Sequence, residues 1–309
     1  MSCATSWAAS QNPARRYSPA RAGSGTFAAR IAARAVSGPD APRTSGIGGN
    51  SAKTASTALS NGMTIVYHGS VPTALALSAG GMFAAWEVGV WMVLRDHFTP
   101  ALIVGASAGS WVGWLIAGGA TAEDIEREWL DPLTEKIMQT GLHRSGWLRP
   151  DAMHAKARDL FDRYRPVIPF ALTLVEVPRM RVHLVRDCDI TWRHLAAACS
   201  IPLAFPPVEI DGKRFVDGGL LGALPVWAAE ELGATRAIAL NCLTSMPFRA
   251  LRLITRPRRP SPAFDYTLIE PSTRLGGLRD AVFWNAGNIE DWIARGVEDG
   301  TRALSSVRM

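Results

Sequence analysis

The chain has 309 residues, of which 48% are hydrophobic and 19% charged, a balance that permits one large buried core or two small ones and excludes a chain too polar to fold. Seven of its 33 basic side chains (Arg15, Arg16, Arg21, Arg30, Arg34, Arg43 and Lys53) but only one of its 27 acids, Asp40, fall in residues 1–60, so residues 61–309 carry 26 of each sign. The net charge of +6 belongs to the N-terminal tail, the remainder is neutral, and nucleic acid is not an expected partner.

Residues 1–60 are mostly Ala, Ser, Gly, Arg, Pro and Thr. With so few large apolar groups the segment cannot offset its ordering entropy, and we expect a disordered extension before a folded domain over 61–309. FAARIAARAV (27–36) has the pattern of a short Arg-bearing helix. An acid-poor, Arg- and Ser-rich start leaves organelle targeting open, whereas composition alone favours a solvated extension of a cytoplasmic protein. The four cysteines, Cys3, Cys188, Cys199 and Cys242, are too few and too scattered for a disulfide framework, and no cysteine or histidine spacing suggests a metal.

From residue 74 onward apolar runs alternate with helical patterns, as in a parallel sheet with helices on both faces. ALALS (74–78) reads as a buried strand, Gly80 and Gly81 as a tight turn, and 83–97 as a helix with Phe83, Trp86, Val90, Trp91 and Leu94 on one side. Ala101 to Ala120 lacks any charge and has the length of a membrane span. Its five glycines, however, fit a strand over 102–104, a turn over 105–109 and a helix over 110–117 better. Thr121 with Asp124 three residues on starts a charged helix, and 150–164 reads as another.

Phe170–Val177 and 181–186 alternate like a hairpin, 192–200 is helical, and Asp211-Gly212 supplies a two-residue turn between Val208/Ile210 and Phe215/Val216. A helix over 225–232 leads to a strand over 236–241. An Arg- and Pro-rich loop (244–263) follows, then a strand over 266–269 and a closing helix over 285–304.

Gly105-Ala106-Ser107-Ala108-Gly109 fits G-x-S-x-G. The pattern places a serine on a strained strand-to-helix turn, and Gly105 and Gly109 leave room for the neighbouring strand and helix. An apolar strand before the pattern and an amphipathic helix after it supply the context that chemistry needs. Ser107 is therefore the candidate nucleophile and requires a base. An α/β-hydrolase would follow it with an acid and then a late histidine, but the six histidines (His68, His97, His143, His154, His183, His194) all precede the last 115 residues. Pairing Glu176 with His183, or Asp189 with His194, uses residues too close together to make a triad. Asp217, in Val216-Asp217-Gly218-Gly219 at the end of an apolar strand, is the better partner.

AACSIPLAFPPVEIDGKRFVDGGLLGALPVWAAEELGA (197–234) resembles the aspartate block of patatin-like phospholipases. GASAG resembles that family's nucleophile elbow, and LSAGGMFAAWEVGV (77–90) its N-terminal glycine-rich loop and helix. The blocks run in family order over about 72–304. The resemblance implies a three-layer α/β/α fold with a mainly parallel sheet, and a Ser107–Asp217 dyad with no histidine. It also implies an oxyanion hole from the backbone of Gly80, Gly81 and Met82, framed by the motif glycines Gly105, Gly109, Gly218 and Gly219.

The resemblance further implies hydrolysis of a lipid or acyl ester through an acyl-serine, with no cofactor and with peripheral membrane contact open. The oligomeric state is not read from the sequence. One departure stands out: where the family reads Gly-Gly-Gly-x-Arg/Lys-Gly, this chain has Ala79-Gly80-Gly81-Met82-Phe83-Ala84. A missing cation beside an oxyanion motivates the alternative of a catalytically weak or silent lipid-binding relative. Trp86, Trp91, Trp111 and Trp114 flank the two loops and read more readily as core than as an acyl pocket. A nucleotide site is disfavoured, because the glycines near Ser107 lack the Lys-Ser/Thr of a P-loop.

Overall fold

The computed structural model describes residues 72–138, 140–143, 146–186, 188–244 and 258–306. The tail, the helix pattern at 27–36 and most of the Arg-rich loop lie outside the described residues.

The strands are β1 (Thr73–Leu77), β2 (Leu102–Ala106), β3 (Thr140–His143), β4 (Gly146–Leu148), β5 (Phe170–Val177), β6 (Arg181–Arg186), β7 (Val208–Ile210), β8 (Lys213–Asp217), β9 (Arg236–Leu240) and β10 (Asp265–Ile269). The α-helices are α1 (Ala84–Leu94), α2 (Ala108–Ala117), α3 (Ala122–Leu130), α4 (Asp151–Arg163), α5 (Trp192–Ala198), α6 (Val226–Glu231), α7 (Leu278–Val282) and α8 (Ala286–Ser306). Single 3₁₀ turns at Gly81–Phe83 and Gly218–Leu220 precede α1 and follow β8.

The central sheet runs β10-β9-β1-β2-β5-β8-β7, with β6 also on β5. It is parallel from β10 through β5 and antiparallel where β6, β7 and β8 join. β1 and β2 are buried along their whole length, as expected of strands covered on both faces. The layers are unequal. One face carries the large core of α1, α2, α3, α4, α5 and α8, with Trp86, Trp114, Phe170 and Trp292 at its centre. The other is covered chiefly by short α6, through Val226, Trp227, Ala228 and Ala229 against Ala74, Ala76 and Val104.

The uncharged stretch 101–120 resolves into β2, the elbow and α2, and no described helix is long and apolar enough to cross a membrane. Thr121 and Asp124 form the expected capping box on α3. Asp211 and Gly212, at φ 50° and 72°, make the mirror-image turn that matches hairpin twist between β7 and β8.

The structure departs from the sequence reading in several places. The helix expected over 83–97 runs from Ala84 to Leu94, starting late because the chain first closes a 3₁₀ turn at positive-φ Gly81, and the strand expected over 102–104 continues to Ala106. The β3–β4 hairpin and α7 lack a strong period and were not expected.

Candidate active site

The pairing of β5 explains why two distant segments meet. Thr173 pairs with Ala106 of β2 and with Leu184 of β6, while the next residue, Leu174, pairs with Asp217 of β8 and with His183 of β6. Since β6 occupies one edge of β5, β2 and β8 must share the other. β2 is parallel to β5 and β8 antiparallel, so their C-terminal ends meet head to head, with Ser107 just beyond one and Asp217 at the tip of the other.

Ser107 has φ 53° and ψ −133°, a strained conformation for a residue with a side chain. It turns the chain from β2 into α2, whose N-terminus contributes partial positive charge at this spot. The flanking glycines are sterically required. A Cβ on Gly105 would lie 2.6 Å from Ser110 Cα, and one on Gly109 2.4 Å from the Ser78 carbonyl oxygen.

Ser107 Oγ donates a 2.5 Å hydrogen bond to Asp217 Oδ2, and both residues are buried. The other oxygen, Oδ1, accepts from Gly219 N–H at 2.7 Å, and the Asp217 backbone N–H donates to Ser200 O. Burial pushes the Asp217 carboxyl from 3.8 up to about 7, against the opposing effect of the Ser107 and Gly219 donors. Gly218 is held so close that a Cβ would lie 2.2 Å from Thr173 O. Cys199, a free thiol beside the site, is pushed up by burial and by the Asp217 charge, so it is not an activated nucleophile.

The glycine-rich loop lies beside the elbow. Ala79 N–H is taken by Ala223 O, whereas among the described residues the N–H groups of Gly80, Gly81 and Met82 donate to no protein acceptor. Gly81 is at φ 56°, and a Cβ there would strike Ala281 O. Phe83, at the position of the expected cation, is buried in the core, its ring 4.9 Å from that of Trp292 in an edge-to-face contact.

Three of the histidines have other partners. His183 bonds Glu176 across the β5–β6 hairpin, His194 caps α5 through Thr191, and His154 stacks edge-on against Trp192. The Glu176–His183 pair is thus real but belongs to the hairpin surface and has no bond to Ser107.

A cavity opens at Ser107, Gly81 and Met82 and extends between α2, α3 and α4. Trp111, Leu115, Trp129, Met153, Leu160 and Phe205 supply its apolar wall. Of the four tryptophans flanking the loops, Trp111 faces it, while Trp86 and Trp114 are fully buried in the core. The wall residues of α3 and α4 were not anticipated, because apolar residues at helical spacing look the same whether they line a cavity or fill a core. Glu87 was also missed, although one acid inside an otherwise apolar helix was a signal.

A strained serine at a strand-to-helix turn, hydrogen-bonded to an acid across the end of a mainly parallel sheet flanked by helices, makes this an α/β protein. More narrowly, it belongs to the patatin-like phospholipase family, whose model matches residues 75–230. An uncharacterised NTE family protein of Mycobacterium tuberculosis is 28% identical over 191 residues, 57% of this chain and 51% of that protein. Human patatin-like phospholipase domain-containing protein 6 is 27% identical over 183 residues, 54% of this chain and 13% of that protein. The chain thus spans about half of the length of the first of these relatives and 13% of the second. Among solved structures, VipD from Legionella pneumophila superposes with a TM-score of 0.50 over 76% of this chain and 67% of that one at 11% identity, a likeness of fold.

Proposed function

We propose that the protein is a serine lipid acyl hydrolase that cleaves carboxylic esters through an acyl-Ser107 intermediate. The observation that carries this reading is the 2.5 Å Ser107–Asp217 hydrogen bond at the mouth of an apolar cavity. As Ser107 Oγ attacks the ester carbonyl, its proton passes to Asp217 Oδ2, and the oxyanion is received by the free N–H groups of Gly80, Gly81 and Met82. The carbon–oxygen bond to the alcohol then breaks, and the alcohol leaves with the proton held by Asp217. Water next attacks the acyl-serine as its proton passes to Asp217, and Asp217 gives that proton to Ser107 Oγ as the carbon–oxygen bond to Ser107 breaks, so the acid is released and the serine hydroxyl and Asp217 carboxylate are restored.

A carboxyl at about 7 is a far better proton acceptor than an ordinary aspartate, which is how a dyad works without histidine. The cavity receives the acyl chain. Leu203, 85% exposed beside cavity-lining Ile201, gives the mouth an apolar lip suited to a lipid surface.

The second reading, a silent lipid-binding relative, rests on Phe83. One experiment separates the two: labelling with an active-site serine phosphonate, and turnover of 4-nitrophenyl butyrate. Wild type should label and turn over, and Ser107→Ala and Asp217→Asn should each lose at least about a thousandfold in rate. Wild type that neither labels nor turns over supports the silent relative.

A further inference from the structure

The most enclosed ionisable cluster that this mechanism leaves unused lies beneath the glycine-rich loop. Glu87 of α1 is fully buried. Its Oε1 accepts 2.8 Å hydrogen bonds from both the backbone N–H and the hydroxyl of Ser78, the residue that follows β1 and leads into the loop. Ser78 Oγ in turn accepts from Cys242 N–H at 3.0 Å and lies 3.3 Å from Cys242 Sγ. The cluster presses directly on the loop, since a Cβ on Gly80 would lie 2.1 Å from Cys242 Sγ, and Cys242 Sγ also reaches Ala79 O. It touches the elbow as well, because Ser78 O is the atom that a Cβ on Gly109 would meet. Three chain segments, after β1, within α1 and after β9, are pinned at one carboxyl.

We propose that Glu87 is a positioning residue: through Ser78 it holds Gly80, Gly81 and Met82 with their free N–H groups beside Ser107, and it does so only in its neutral, protonated form. The surroundings favour the neutral form. Oε2 is buried with no hydrogen-bond partner, and the donors around the carboxyl, Ser78 and the Cys242 thiol, carry no positive charge, so an ionised Glu87 would have no counter-charge. That charge would also sit beneath donors meant for an anion and oppose the oxyanion they stabilise. Burial pushes Glu87 from 4.5 up to about 8, against the Ser78 bonds, consistent with a proton kept at neutral pH and lost in mild alkali.

The groups around it do not supply an alternative switch or a counter-charge. The Cys242 thiol is pushed up by burial and by Glu87 itself. α2 carries no ionisable side chain. α3 contributes buried Glu126, also pushed up by burial. α8 contributes Asp299, which, against burial, is held below its ordinary value by Ser272 and Trp86 and is paired with Arg302.

The proposal rests on the hydrolase reading, and its test separates the two. With 4-nitrophenyl butyrate, wild-type kcat should rise through about pH 7 and fall again above about pH 8. Glu87→Gln keeps an acceptor for Ser78 but cannot ionise; it should retain the acid limb, hold neutral kcat within about fivefold and lose the alkaline fall. Glu87→Leu removes the anchor and should lower kcat by about a hundredfold with KM within about threefold, the signature of a group acting in the transition state. Melting curves at each pH identify any rate lost to unfolding, and if the leucine variant does not fold the glutamine variant decides alone. An alkaline limb that survives Glu87→Gln, or a folded Glu87→Leu with wild-type kcat, overturns this proposal alone. Wild type with no ester turnover at any pH overturns the hydrolase reading and this proposal with it.

Discussion

Replacing Asp217 by asparagine should abolish turnover and at the same time stabilise the protein, by an amount that depends on pH. The carboxyl is 5% exposed, and its pKa rises from 3.8 to about 7 on folding, principally through burial. Below about pH 3.8 both folded and unfolded chains carry the proton, and the group contributes nothing. As pH rises from there, the unfolded chain ionises first, so native stability falls until the folded carboxyl also ionises near pH 7, after which the cost is constant. At about 1.4 kcal/mol per pKa unit, a shift of this size costs up to about 4 kcal/mol at pH 8.

Asparagine keeps the shape and the bonding, with Oδ1 accepting from Gly219 and Nδ2 donating to Ser107. We therefore expect a gain of about 2–4 kcal/mol at pH 8, or about 5–10 °C in melting temperature for a folded region of this size, and almost none at pH 4. Scanning calorimetry of wild type and Asp217→Asn across pH 4–9 measures it. A difference that does not grow with pH, or a less stable variant at pH 8, would refute the claim that an ionisable carboxyl is held here at the expense of stability.

Phe83→Arg should fail as a restoration of the missing cation: losing a buried ring packed on Trp292 and gaining a buried charge should cost at least about 4 kcal/mol, and a folded variant with higher kcat on a short nitrophenyl ester would contradict this. Substituting each histidine in turn should leave ester turnover within about tenfold, and any loss matching that of Ser107→Ala would assign the base elsewhere. Leu203→Glu should weaken sedimentation with phosphatidylcholine vesicles severalfold while leaving turnover of a soluble ester within about twofold, and unchanged vesicle binding would remove the lip from the lipid surface.

Local chemistry made much of this legible in the sequence. The elbow is written in Gly105 and Gly109 because backbone atoms approach within a Cβ's reach, and the β7–β8 turn is written in Asp211-Gly212 because both adopt positive φ. Asp217 could be chosen over the acid–histidine pairs from its place at a strand end. That β2 and β8 lie end to end on one edge of β5 was not legible, because it depends on which strands pair across long separations rather than on any local pattern. The cavity was hidden for a related reason: Met153, Leu160 and Trp129 satisfy the helical period whether they fill space or border it.

Phe83, in the 3₁₀ turn that leads into α1, stands four residues before Glu87 of α1, and their two departures from ordinary expectation make sense together. A cation at position 83 would tolerate, and even favour, an ionised acid four residues on. With an apolar ring there instead, packed on Trp292, an ionised Glu87 has no counter-charge nearby, and the site remains electrically neutral only if the acid keeps its proton. On this view the loss of the cation does not by itself silence the site: backbone N–H groups receive the oxyanion, and a neutral carboxylic acid fixes them through Ser78. The coupling gives Phe83→Arg a second signature, since an arginine that does insert would draw the proton from Glu87. The damage should then be greater when both are changed, because Phe83→Arg in a Glu87→Gln background leaves the new charge with no acid to ionise. A double variant whose loss of stability equals the sum of the losses in the two single variants would show that the two positions do not interact, and the electrical argument for the neutral acid would lose its partner.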